Sequence, residues 1–173
     1  MNPSRTLRLL AVLLILISTA GCDQVTKQFA RSELSELRST ALPGGFLEFT
    51  LAENPGAFLS LGASLPQPLR GGFLTIGIGL GLTMLLIYLM RAAHLRWISF
   101  LGLVLIWSGG MSNLIDRFAR HGRVTDFILL RIGPLHTGVF NFADMAIMAG
   151  VVILVASFRA HSSQSKLRSK ANE

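Results

Sequence analysis

The chain has 173 residues, of which 51% are hydrophobic and only 14% charged, and its mean hydropathy is +0.55. A soluble domain of this length has too little interior for so much apolar side chain, whereas a bilayer sets no such limit. The net charge of +7 does not point to nucleic acid, because the basic residues lie between and beyond the apolar runs rather than along one face; the single cysteine, Cys22, excludes an intrachain disulfide and a cysteine-based zinc cluster.

Four stretches approach the roughly 20 apolar residues that a helix needs to cross the hydrocarbon core: about residues 7–25, 72–90, 97–115 and 139–158. Backbone groups in lipid must be satisfied internally, so each is read as a helix, and the whole chain as one membrane domain.

The first span follows Arg5 and Arg8 and ends in Asp23-Gln24-Val25-Thr26-Lys27. Asp23 and Lys27 are four apart on one helical face, which suits a local ion pair; spacing leaves open whether that pair is an interfacial anchor or functional. Leu13–Cys22 (LLILISTAGC) also looks like a lipoprotein signal peptide that would leave Cys22 lipidated. Three further spans follow, and Thr19 stands where an apolar residue is usual, so Cys22 is read as a small residue near a helix end.

A long outer loop, about residues 26–71, comes next. Phe29–Leu37 (FARSELSEL) has leucines three apart and reads as a short surface helix. Pro43-Gly44-Gly45 is a turn signal. Phe46–Leu51 partly alternates, and Ala57–Leu61 follows Asn54-Pro55-Gly56, so the two predict a small hairpin resting on the membrane surface or the helix ends. In the second span Gly77, Gly79 and Gly81 invite a nucleotide-loop reading, which their place inside an apolar run excludes. Gly77 and Gly81 instead suit close helix packing in lipid.

The third span ends in Gly109-Gly110-Met111-Ser112-Asn113-Leu114-Ile115-Asp116-Arg117. Asn113 and Arg117 share a face with Asp116 beside it, and the small residues allow a helix or a substrate backbone to come close. A shorter outer loop, about residues 116–138, follows. It holds Arg117, Arg120, Arg123 and Arg131, and in Val124–Ile128 an acid, Asp126, set between apolar residues. The fourth span opens with Phe140-Asn141-Phe142-Ala143-Asp144, which places Asp144 about one turn into an apolar helix.

Arg5 and Arg8, Arg91 and Arg96, and Arg159, Lys166, Arg168 and Lys170 flank the spans on one side. The positive-inside bias makes that side the cytoplasm, with both termini there and residues 159–173 as a basic cytoplasmic tail. The outer-loop arginines run against this bias, which suggests that they are kept for binding or structure.

Ionisable side chains at membrane depth are costly and need a reason. Two acids that meet away from water share one proton, and such a pair can activate water as a base and protonate a leaving amine as an acid. Spacing alone equally allows Asp126 and Asp144 each to pair with an outer-loop arginine.

The blocks Asp23-Gln24-x-Thr26-Lys27, Asn54-Pro55-Gly56-Ala57-Phe58, Gly109-Gly110-x-x-Asn113-x-x-Asp116-Arg117, Val124-x-Asp126-Phe127 and Phe140-Asn141-x-Ala143-Asp144 together resemble the lipoprotein signal peptidase (signal peptidase II) family. They run in the family's order over all but the tails. The resemblance implies a four-transmembrane-helix bundle with a small extracytoplasmic sheet and a short, mobile outer helix. It implies an aspartic endopeptidase of the bacterial inner membrane that cuts prolipoproteins just before a diacylglyceryl-modified cysteine, with Asp126 and Asp144 as the catalytic pair. It puts Asn54, Arg117, Asn113 and Asn141 on the substrate side, the last two also as polar supports, and makes Asp23, Lys27, Gly56 and Asp116 structural. No metal or cofactor is expected, and the partners are lipidated prolipoproteins and membrane lipid, met by a monomer. A non-enzymatic proton or solute carrier using the same acids is the competing reading, and it lacks the repeated halves or interrupted helices that carriers usually show.

Overall fold

All four apolar runs become helices, as lipid demands of any segment that cannot hydrogen-bond to water. The computed structural model describes residues 5–34, 39–56, 66–92 and 94–171. In chain order these form helix α1 (Arg5–Glu33), strands β1 (Thr40–Ala41) and β2 (Leu47–Asn54), helices α2 (Gln67–Arg91) and α3 (Trp97–Ala119), strands β3 (Val124–Ile132) and β4 (Leu135–His136), and helix α4 (Phe142–Ala171). Each of the four helices is long and apolar enough to cross a membrane, and large apolar side chains such as Leu14, Ile17, Phe73, Val152 and Phe158 point outward from the bundle.

Helix α3 is the hub, packing against α1, α2 and α4. Phe100, Val104, Trp107 and Leu114 of α3 meet Val12, Leu82 and Leu89 in the main core, and the Trp107 indole donates to the Leu82 carbonyl at 3.0 Å. Small residues set the spacing. Gly102 and Gly150 face each other across α3 and α4, so a Cβ on either would press on the other's backbone. A Cβ on Gly109 would collide with the Ala143 carbonyl, and one on Gly110 with Leu82. The packing expected at Gly77 and Gly81 is not there: nothing lies within 4 Å of a Cβ at either, because α2 meets α3 through the other face, along Leu82 and Leu89.

At one end of the bundle Arg8 reaches back to the α2–α3 turn. Its guanidinium donates to the carbonyls of Ala92 at 2.7 Å and Leu95 at 2.9 Å and lies 4.9 Å from the Phe100 ring centre. The arginine-flanked start of α1 and the Arg91–Arg96 turn therefore share one end, as the span count requires.

At the other end α1 overshoots. Its 29 residues span roughly 43 Å, more than the roughly 30 Å hydrocarbon core. The segment expected as a separate surface helix continues α1 instead, through Phe29 to Glu33. No glycine or proline stands between Cys22 and Glu33, and Ala30 packs on Phe127 and Ile128 of β3. Residues 35–38 lie outside the described residues.

That projecting end supports an antiparallel sheet of order β1-β2-β3-β4. Gly44 and Gly45, at φ +96° and +69°, make the turn from β1 to β2 that Pro43-Gly44-Gly45 predicts. Of the hairpin expected within the long loop, the first arm, Phe46–Leu51, falls largely in β2 and the second, Ala57–Leu61, lies outside the described residues; β2 itself pairs with β3, from Leu47↔Leu130 to Asn54↔Val124, with a bulge between Phe49 and Ala52. The strand β3 is buried from Val124 to Leu129 and so takes the inner position; residues 57–65 lie outside the described residues. Phe140, expected inside the fourth span, bridges to Ile128. The helix therefore starts two residues later, at Phe142.

Candidate active site

The start of α4 is organised by its own sequence. Asn141 precedes the helix, its side-chain oxygen accepts from the Asp144 N–H at 2.9 Å, and its N–H donates to Asp144 Oδ2 at 3.2 Å. This reciprocal pair is a capping box, and it puts Asp144 in the first helical turn, where the helix dipole favours a carboxylate. The Ala143 N–H, also without an intrahelical partner, donates to Asp23 Oδ1 of α1 at 2.9 Å.

Once the Asn141 oxygen is committed to that N–H, its NH2 group must face elsewhere. It donates to Asp126 Oδ1 of β3 at 2.6 Å and lies 3.2 Å from Asn113 Oδ1. Asn141 thus joins both aspartates, Asp144 through its backbone and Asp126 through its amide. The second oxygen of Asp126 accepts from Asn54 Nδ2 at 3.0 Å. That bond runs diagonally over the ladder, since Asn54 pairs with Val124 and Asp126 with Ala52. Asn54 Oδ1 accepts from the Gly56 N–H at 3.0 Å, which fixes this amide too.

Burial pushes the Asp126 carboxyl up to about 7, and the neighbouring charge of Asp144 adds to the effect; the two asparagine hydrogen bonds oppose it. Asp126 is buried while Asp144 is half-buried, so one acid is enclosed and the other is open to an approaching molecule.

Beneath the aspartates lies a buried ionic cluster. Lys27 Nζ stands 2.6 Å from Asp23 Oδ2 and 2.9 Å from Asp116 Oδ2, with both the lysine and Asp23 fully buried. Its third proton goes to Asn113 Oδ1 at 3.0 Å. A lysine only donates, so this contact turns the Asn113 NH2 towards Asp144 Oδ1, at 2.9 Å. The remaining acceptor capacity is used as well: Ser112 Oγ donates to Asp23 at 2.6 Å, Gln24 to Asp116 Oδ1 at 3.0 Å, and the Thr125 N–H to Asp116 Oδ2 at 3.1 Å. The Asp23–Lys27 pair is therefore a buried staple of α1, α3, β3 and the start of α4 rather than an interfacial anchor.

Arg117 donates to the Gly56 carbonyl at 2.7 Å and to the Asn113 carbonyl at 3.2 Å, so it holds the chain just beyond Asn54. Two of the other outer arginines also have structural partners: Arg131 meets Glu48 at 3.0 Å and Arg120 meets Glu53 at 3.9 Å. Among the described residues no arginine forms a salt bridge with Asp126 or Asp144, and the alternative pairing that spacing allowed is not the one adopted. Nor do three His, Cys, Asp or Glu side chains converge in the way a metal ion requires among the described residues.

The fold gathers Asp126, Asp144, Asn54, Asn113 and Asn141 into one network, with Arg117 and Gly56 at its edge and Asp23, Lys27 and Asp116 below. Sequence reasoning missed Gln24 and Thr125 as partners of Asp116, and Glu53, which lies in a strand whose partner is more than 70 residues away; Gln24, one residue after an intramembrane acid, carried a signal of its own.

The family model for signal peptidase (SPase) II matches residues 14–159. The chain belongs to the signal peptidase II family. Lipoprotein signal peptidases from Syntrophus aciditrophicus (35% identical, covering 83% of this chain and 91% of the relative), Desulforapulum autotrophicum (36%, 90% and 93%) and Moorella thermoacetica (37%, 82% and 88%) are similar along nearly their whole length. A bacterial membrane enzyme solved by the in meso method at 2.3 Å resolution superposes with a TM-score of 0.74, at 25% identity over 88% of this chain and 90% of that one. A second, at 1.9 Å, gives 0.70 at 26% identity, over 85% and 91%. Membership in signal peptidase II makes this chain a multi-pass membrane peptidase of the aspartic class, and the resemblance read from the five blocks holds.

Proposed function

We propose that Asp126 and Asp144 are the catalytic pair of an endopeptidase that removes the signal peptide from diacylglyceryl-modified prolipoproteins, cutting just before the lipidated cysteine. The observation that carries this reading is Asn141, which binds both carboxylates at once. The pair holds one proton, carried by Asp126 up to about pH 7. Water attacks the scissile carbonyl carbon as Asp144 takes its proton, and Asp126 delivers its own to the carbonyl oxygen. On collapse of the tetrahedral intermediate, Asp144 protonates the leaving amine nitrogen and Asp126 recovers a proton from a hydroxyl, so the pair ends as it began. Neither step calls for a cofactor.

Asn54 and Arg117, with Gly56 between them, line the approach of the substrate backbone, and Asn113 and Asn141 hold the acids in place. The aspartates lie at the end of the bundle away from the Arg8 and Arg91–Arg96 segments. The positive-inside bias then supports cytoplasmic termini and a site at the periplasmic face of a bacterial inner membrane. At that depth the lipid chains of the substrate cysteine stay in the bilayer while its peptide bond reaches the acids.

The test is gel-shift cleavage of a prolipoprotein by the purified protein. The expected result is cleavage of the diacylglyceryl form only, lost in Asp126→Asn and Asp144→Asn. Normal cleavage by both variants would overturn the assignment.

A further inference from the structure

The two faces of the β2–β3 ladder carry different polar pairs. One face presents Asn54 and Asp126, joined at 3.0 Å. On the other, Glu53 and Thr125 are direct register partners, and the Thr125 hydroxyl donates to Glu53 Oε1 at 3.2 Å. The same hydroxyl accepts from Arg31 Nη1 at 3.2 Å, at the end of α1 that overshoots the bilayer. Arg120, just after α3, approaches Glu53 to 3.9 Å. Thr125 is fully buried, and its carbonyl and N–H are held by Asn141 and Asp116. The catalytic reading assigns nothing to Glu53, Thr125 or Arg31.

We infer that Glu53 is a positioning residue, which through the Thr125 hydroxyl ties the rear of the ladder to Arg31 and so fixes the reach of Asn54 to Asp126. Consecutive strand residues share one backbone, so Glu53 cannot shift without moving Asn54. The bulge between Phe49 and Ala52 interrupts the ladder one residue before Glu53, so pairing alone holds this end of β2 less firmly. Glu53 is also the counter-charge of Arg120. The inference rests on the proposed roles of Asp126 and Asn54.

The experiment measures kcat, KM and the pH profile of lipopeptide cleavage for Glu53→Ala, Glu53→Gln, Thr125→Val and the Glu53→Ala/Thr125→Val double variant. Asp126→Asn serves as the control for the site itself. Glu53→Ala is expected to lower kcat about tenfold with KM changed less than about twofold, and to move the upper limb of the pH profile to higher pH, because Asn54 no longer steadies the ionised Asp126. Glu53→Gln keeps the acceptor for Thr125 and recovers most of kcat. Thr125→Val behaves as Glu53→Ala does, and the double variant is no worse than either single one, since both cut the same tie. Wild-type kcat and an unshifted limb in Glu53→Ala would overturn the inference. If Glu53→Ala does not fold, wild-type kcat and an unshifted limb in Thr125→Val, or a loss in Glu53→Gln as large as in Thr125→Val, overturn it equally. Activity retained in Asp126→Asn would instead remove the site reading on which it stands.

Discussion

Asn141 and Asp126 are joined by a 2.6 Å hydrogen bond that crosses from the cap of α4 to the third strand. Its direction is dictated by the other end of the same amide, which must accept from the Asp144 N–H. One asparagine therefore sets the relation between two acids that come from different elements.

Replacing Asp126 or Asp144 by Asn removes a proton carrier while keeping size and shape. Turnover should fall at least about 10³-fold in each case, within the range general acid–base catalysis supplies. Both variants should still insert in membranes and keep their helical circular dichroism. Cleavage of a lipidated prolipoprotein measures the first outcome, and an unfolded variant would point to a structural role.

The buried carboxyl of Asp126, raised from 3.8 to about 7, costs the folded state stability at neutral and alkaline pH. A group whose folded value is raised favours folding while it is protonated; the penalty grows as pH rises from about 4 to about 7. The shift corresponds to about 4 kcal/mol. Asp126→Asn relieves it at the loss of one hydrogen bond of about 1 kcal/mol. The variant should therefore melt higher than the wild type in detergent at pH 8 and show no such gain at pH 4.

The same titration sets an upper limb for activity. Above about pH 7 Asp126 loses the proton that the reaction requires, so kcat/KM should decline there. Asn54→Ala removes a hydrogen bond that favours the ionised form, so its residual activity should decline at a higher pH. An unshifted limb would separate Asn54 from the acid.

Lys27→Met leaves Asp23 and Asp116 buried without their cation. Breaking such a cluster costs about 3–5 kcal/mol. The variant should lose thermal stability in detergent by an amount of that order, and activity with it, because Asn113 loses the contact that orients its amide.

Gly109→Ala should destabilise by about 1–3 kcal/mol through overpacking. The new methyl has to displace the Ala143 carbonyl or Ile147 and so pushes the first turn of α4 away from Asn113. Gly77→Ala, with nothing within 4 Å, should melt within about 0.5 kcal/mol of wild type. Equal thermal shifts for the two would contradict the observed helix contacts.

The sequence by itself determined the four helices and which polar side chains near their ends needed an explanation, Asp144, Asn113 and Lys27 among them, because lipid penalises every polar group left without a partner; spacing left Asp126 and Asp144 open between a joined pair and separate arginine partners, and the resemblance of the five blocks chose between them. It located Pro43-Gly44-Gly45 as a turn from glycine's conformational freedom alone. What only the tertiary structure decided was partnership. The pairing of β2 with β3 spans more than 70 residues and has no local signal. The choice of Gly102, Gly109 and Gly150 over Gly77 and Gly81 as contact points depended on which helix face meets a neighbour. Amide orientation was decided last: Asn141 and Asn113 each have one acceptor and one donor end, and only the surrounding Lys27 and Asp144 N–H groups fix which end faces an aspartate.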